Sequence, residues 1–333
     1  MTIKDIDITR RGLIGLAAGG GAMLAMPAIL RAAPMMEALT IYGPPGGPSI
    51  VAAYAVATNA FADIAARAEF KAWKDPDELR AGLSSDTMGA VILPTLAAAN
   101  LYNRGLGLRL VNTMTDGVLH ILTMDSSIKT LADLKGHKLV LPFRHDTPDI
   151  IFARLMEAAG MAEGSVEIVP ASSPVEAVQL LLTGRADAAL LPEPAATMAE
   201  MRAGQEGKEV FRPIDIQKAW GELTGIAPVI PQAGLGLGKS FSESWPDAAD
   251  ALQATLVKAV ADVITNPQEA AAKTSDILGM PAPILAKSIP QSALTATPAN
   301  ESRPALEAMF KAVMEVDPKI IGGKLPDDGF YLL

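Results

Sequence analysis

The chain contains no cysteine. That absence removes disulfides, thiolate zinc sites, cysteine nucleophiles and lipoprotein attachment together. Histidine is scarce: His120, His137 and His145 stand at spacings of 17 and 8, which match no metal-ligand pattern. No G-x-S-x-G nucleophile elbow occurs. Gly234-Leu235-Gly236-Leu237-Gly238-Lys239-Ser240 superficially resembles a phosphate-binding loop, but Ala233 stands where its first glycine belongs. This stretch reads better as a strand and loop between lobes. No cofactor motif is present, and no cofactor or metal is expected. Only 20% of the 333 residues are charged and 5% are aromatic.

What is present is apolar bulk. Half of the residues are hydrophobic, enough for a large core without metal or disulfide support. The length suits two lobes of about 100–200 residues each. The N-terminus carries Thr9-Arg10-Arg11-Gly12-Leu13-Ile14, a twin-arginine pattern, followed by a Gly- and Ala-rich apolar run over 13–30 and then Arg31-Ala32-Ala33-Pro34. A spanning helix needs about 20 strongly apolar residues, and this run is marginal in both length and hydrophobicity. Residues 1–33 are therefore expected to be a twin-arginine export signal cleaved near Ala33, with an uncleaved anchor as the alternative. Lys4, Arg10, Arg11 and Arg31 against Asp5 and Asp7 give that segment +2, so the remainder carries −11 of the chain's −9. No basic stripe remains to hold nucleic acid, and an acidic body adheres poorly to anionic lipid.

After the leader, strands and helices alternate. Short apolar runs predict strands at 39–42, 70–73, 90–93, 108–111, 119–124, 138–141, 166–169, 186–191 and 209–213. Helices are expected between them, including a long alanine-rich one over 50–67. Capping patterns support several helix starts: Asp75-Pro76-Asp77-Glu78, Thr147-Pro148 and Ser173-Pro174-Val175-Glu176. Thr130 and Asp133 predict a further capped helix, with Gly136 as its stop. No helix intervenes before 119–124, so the chain is read as crossing there into a second lobe. Residues 229–238 read as the return, and everything from Pro246 onward is expected to be helical. Alternation of this kind implies largely parallel sheets with helices on both faces.

Several ordered pieces then resemble one family. They are the strand running into a Gly/Pro loop at 43–49, and Trp73 with Asp75-Pro76-Asp77-Glu78-Leu79 and Ala81-Gly82-Leu83. Next come Thr130-Leu131-Ala132-Asp133-Leu134-Lys135-Gly136, Leu181-Leu182-Thr183-Gly184 with Ala186-Asp187-Ala188, and Glu193-Pro194. The chain resembles the periplasmic substrate-binding proteins of nitrate/sulfonate/taurine-type ABC importers over about residues 39–240. The resemblance implies an α/β, two-lobed periplasmic-binding-protein fold of type II. Each lobe would be a mostly parallel sheet flanked by helices, and two crossing strands would join them. The expected division is 34–119 with 233–333 as lobe 1 and 120–232 as lobe 2. It further implies a small-molecule solute in the interlobe cleft, an ABC permease in the inner membrane as partner, a periplasmic location, a monomer, and no covalent chemistry.

Ligands of two-lobed α/β proteins lie at loops following strand C-terminal ends. Those loops offer Tyr42, Gly43, Pro44, Gly46, Gly47 and Ser49; Pro94 and Thr95; Asp116; Phe143, Arg144, His145, Asp146 and Thr147; and Glu193. Glycines let backbone N–H groups approach a ligand, and the following helix adds partial positive charge for an anion. Arg144 and His145 would reinforce such a site. Asp146 has an equal reading as a helix cap, and Glu193 as an interlobe contact. An anion such as a sulfonate, nitrate or carboxylate is expected, with a neutral or aromatic solute stacked on Tyr42 or Phe143 still open. An enzyme of menaquinone- or pyrimidine-pathway type on the same fold is the catalytic alternative. An exported ligand-binding partner of a membrane sensor is the signalling one.

Overall fold

The computed structural model describes residues 33–73, 76–142 and 147–333. The twin-arginine motif and the tetrad Phe143-Arg144-His145-Asp146 lie outside them. Residues 34–333 form one compact unit. In chain order the elements are β1 (Met36–Gly43), α1 (Ser49–Ala57), β2 (Ala65–Ala72), α2 (Pro76–Ser84), β3 (Ala90–Pro94), α3 (Thr95–Asn103), β4 (Arg109–Thr115), β5 (Leu119–Thr123) and β6 (Lys138–Pro142). There follow α4 (Thr147–Ala158), β7 (Glu167–Ala171), α5 (Pro174–Leu182), β8 (Ala188–Pro192), α6 (Ala195–Gln205), β9 (Phe211–Asp215) and α7 (Ile216–Thr224). The chain closes with β10 (Ala233–Leu237), α8 (Lys239–Ser244), α9 (Ala248–Thr265), α10 (Pro267–Leu278), α11 (Ala282–Ser288), β11 (Leu294–Pro298) and α12 (Ala299–Val316). Among the described residues no helix is long and apolar enough to cross a membrane.

The strands make two sheets, ordered β2-β1-β3-β10-β4-β11 and β7-β6-β8-β5-β9. Each has a parallel trio, β2-β1-β3 or β7-β6-β8, followed by one antiparallel strand. That strand, β10 or β5, is the one by which the chain arrives from the other sheet. The two lobes thus share one winding although their sequences show no repeat.

Alternation along the strands builds the core. In β3, Val91 and Leu93 face one apolar cluster while Ala90 and Ile92 face another. In β6, Leu139 and Leu141 join the first cluster and Val140 faces a third. A period of two with both faces apolar is what a sheet covered by helices on each side requires.

The structure corrects several expectations. The helix predicted over 50–67 stops at Ala57; Asn59 adopts φ 56°, and the chain re-enters the sheet at Ala65 opposite Met36. Alanine has the highest helix propensity, but propensity is a weak determinant that strand pairing overrides. The tail is not wholly helical: β11 lies antiparallel on β4 at the sheet edge. The Thr130–Asp133 pattern closes only a 3₁₀ turn at Ala132–Leu134, in which the Asp133 carboxylate accepts from the Thr130 N–H at 2.8 Å. α7 carries a start and stop that the pattern reading passes over. Asp215 accepts from the Lys218 N–H at 2.9 Å, and Gly225 ends the helix at φ 71°. The 234–240 stretch is β10 followed by α8, inside the first sheet. A Cβ on Gly234 would stand 2.2 Å from the Asn112 carbonyl oxygen, so its glycine serves strand packing.

Candidate functional site

The lobes meet where the loop after β1 faces the loop after β8. A Cβ added to Gly46 would lie 3.4 Å from the Pro194 ring and 3.3 Å from the Met280 methyl group. Gly46 at φ 113° demands glycine on conformational grounds, and Gly47 at φ 56° favours it. The turn delivers Ser49 to the start of α1, fully buried, with its hydroxyl lacking a hydrogen-bond partner among the described residues. That hydroxyl crowds Gly43: a Cβ there would come within 2.4 Å of it. The first α1 amides bond within the turn, Ser49 N–H to Gly46 O at 3.3 Å and Ile50 N–H to Gly47 O at 3.2 Å. Tyr42 and Pro44 flank the turn half-buried.

The second wall comes from β3. Pro94 pairs with Ala233, and Thr95 opens α3. The Thr95 hydroxyl donates to Pro231 O at 2.7 Å and its N–H to Gln232 O at 3.0 Å. Thr95 therefore ties the first lobe to the return crossing at 225–232. Gln232 Oε1 beside it is buried without a partner among the described residues.

Asp116 sits on the outward crossing between β4 and β5. Its N–H donates to Ala293 O at 2.9 Å and its carbonyl accepts from Ile230 N–H at 2.7 Å, so both crossings and the approach to β11 are bonded together. Burial pushes its carboxyl group above the usual carboxylate range. Gly117 follows at φ 153°, where a Cβ would stand 2.2 Å from the Gln217 side chain.

Glu193 does not stand free in the cleft. Its buried carboxylate forms an ion pair with Arg212, accepts from Thr197 N–H at 3.2 Å, and lies 3.9 Å from His120 Nε2. It thus caps the first turn of α6. Arg212 also reaches Glu200 at 2.5 Å and the Thr197 hydroxyl at 3.1 Å. Burial works against the Arg212 charge, but Glu200 and Glu193 outweigh it and hold the guanidinium above its ordinary value. Burial likewise lowers His120, against the pull of Glu193.

Thr147 and Pro148 open α4, both buried. The sequence reading places the Gly46–Gly47 turn, Ser49, Thr95, Asp116 and Glu193 around one seam, and the structure brings these together. It did not anticipate Arg212, Glu200, Lys287 or Met280. Only Arg212 carried a signal: a charged residue between Phe211 and Pro213 in the strand Phe211–Asp215.

Residues 95–270 match the family described as NMT1/THI5 like. The chain belongs to the NMT1/THI5-like family. An ABC transporter protein from Parabacteroides distasonis shares the fold of this NMT1/THI5-like chain at 20% identity, with 89% of this chain and 98% of that one covered and a TM-score of 0.73. The periplasmic aliphatic sulphonate binding protein SsuA from Escherichia coli follows at 18% identity, 87% and 95% coverage and a TM-score of 0.67. The alkanesulfonate-binding protein SsuA from Xanthomonas axonopodis pv. citri, bound to MOPS, matches at 13% identity, 90% and 97% coverage and a TM-score of 0.58. The fold of the NMT1/THI5-like chain is therefore that of a type II periplasmic binding protein. No curated protein matches it.

Proposed function

We propose that this protein is an exported solute-binding protein that captures a small anion, of sulfonate or carboxylate type, and delivers it to an ABC permease in the inner membrane. The observation that carries the reading is the interlobe seam. The glycine turn at Gly46–Gly47 faces Pro194, and the buried Ser49 hydroxyl at the start of α1 has no partner among the described residues. Buried hydroxyls are normally satisfied, so one left open beside a helix start is a ready donor to a ligand oxygen. The names of the sulfonate-binding structural relatives and the twin-arginine leader support the same reading. The proposed site extends to Tyr42, Gly43, Pro44, Pro94 and Thr95, and to the sequence stretch Phe143, Arg144, His145, Asp146 and Thr147. Glu193 contributes by holding its loop rather than by touching solute. The leader would send the protein to the periplasm by the twin-arginine machinery.

The test is thermal unfolding of residues 34–333 with nitrate, bicarbonate, taurine, alkyl and aryl sulfonates, aromatic carboxylates and pyrimidines. A solute at 100 times its dissociation constant adds about 2.7 kcal/mol, a rise of roughly 5 °C in a chain of this size. A rise with one anion class, the solute being recovered unchanged, supports the proposal. Turnover of any panel member would replace it with the enzyme alternative.

A further inference from the structure

The two faces of the interlobe seam are built differently. On one face a single apolar cluster runs through both lobes. It includes Leu93, Leu96, Leu306 and Phe310 from the first lobe, and Leu141, Ile150, Phe152 and Trp220 from the second. On the other face the apolar clusters are separate, one confined to the first lobe and one to the second. Polar contacts bridge that gap. Lys287 on α11 of the first lobe stands 3.6 Å from Glu200 on α6 of the second, and Gln291 O lies 3.2 Å from His120 Nε2.

Charge arithmetic makes the lysine meaningful. The second lobe holds two carboxylates here, Glu193 and Glu200, but one guanidinium, Arg212. When the lobes separate, that cluster keeps a net negative charge. Lys287 supplies the missing cation only when they are together. We propose that Lys287 and the Glu200–Arg212–Glu193 cluster form an electrostatic clasp that biases the lobes toward closure before any solute arrives, with Lys287 as a positioning residue for the cleft. Its consequence for affinity rests on the solute-binding reading; the bias itself does not.

Because the clasp joins partly exposed groups, salt screens it and its effect is modest. The cysteine-free chain allows a direct test. Lys258→Cys in the first lobe and Arg185→Cys in the second, both exposed, would carry spin labels for pulsed-EPR distances in solute-free protein. Lys287→Glu should raise the open-to-closed ratio about fivefold. Lys287→Arg should keep the parent distribution. Molar sodium chloride should shift the parent toward the open form and Lys287→Glu, whose repulsion from Glu200 it screens, toward the closed form. Glu315→Gln serves as the comparison: it removes the 2.6 Å Arg154–Glu315 pair, an interlobe pair beside the shared apolar cluster, and should open the lobes clearly less than Lys287→Glu does. Identical distributions for parent and Lys287→Glu would overturn the proposal, as would equal opening by Glu315→Gln. No solute enters the measurement, so failure of the solute panel and failure of the clasp are separate results.

Discussion

One seam joins the lobes, yet its two faces teach opposite lessons about how contacts hold a moving structure. The apolar face, with Trp220, Phe152 and Phe310 in one continuous cluster, gains from area removed from water and tolerates no gap. The ionic face gains little net energy, because Lys287 and Glu200 keep much of their hydration. Weak, screened contacts can be made and broken at low cost. A packed core cannot. The difference assigns the apolar face to permanence and the ionic face to exchange.

The comparison breaks most visibly at Trp220, which is fully buried. Trp220→Ala should cost about 3–5 kcal/mol of unfolding free energy, read as a lowered urea midpoint. Its indole N–H is buried without a partner among the described residues, so Trp220→Phe should cost much less. Next comes Glu193→Ala, which leaves the Arg212 guanidinium short of a buried partner and uncaps Thr197 N–H. A loss of about 3 kcal/mol is expected, concentrated in hydrogen-exchange protection of α6 and β9.

Acid sharpens the contrast. Burial holds His120 below its ordinary pKa, so the fold binds fewer protons there than the unfolded chain. Its stabilising share is complete above the unfolded value near 6.5 and is lost as pH falls through it toward the folded value. Replacing it, His120→Gln, should flatten the stability profile in that window. Asp116 runs the other way. Its raised pKa means the burial penalty is present above the folded value and relieved as pH falls through it. Asp116→Asn should therefore stabilise at neutral pH and match the parent in acid. The smallest stability effect belongs to Lys287→Ala, about 0.5 kcal/mol or less, even as it moves the lobes. Ser49→Ala should also be near neutral for stability, since its hydroxyl satisfies nothing in the protein, while weakening solute binding measurably by calorimetry.

How much of this was legible in the chain depends on the range of the interaction. Ser173 capping Glu176 N–H at 3.2 Å follows from neighbours in sequence; Gly136 does take a turn conformation at φ 81°, but the helix expected to end there is a 3₁₀ turn capped by Lys135. The strand edge β11 was not legible, because only pairing with β4 makes Leu294–Pro298 a strand. The early end of α1 was hidden for the same reason. At the site, the Gly46–Gly47 turn announced itself by composition, and Glu193-Pro194 by motif. The partner of Glu193 did not, since Arg212 stands nineteen residues away and Lys287 far beyond.

The sequence by itself determined the alternation of elements, the covered faces of the sheets and the turns that favour glycine, since these rest on local sterics and periodicity. Tertiary structure alone decided which carboxylate is neutralised by which cation and which face of the seam is apolar. Those depend on the distance between groups that folding brings together from opposite lobes, and on how much water it leaves between them.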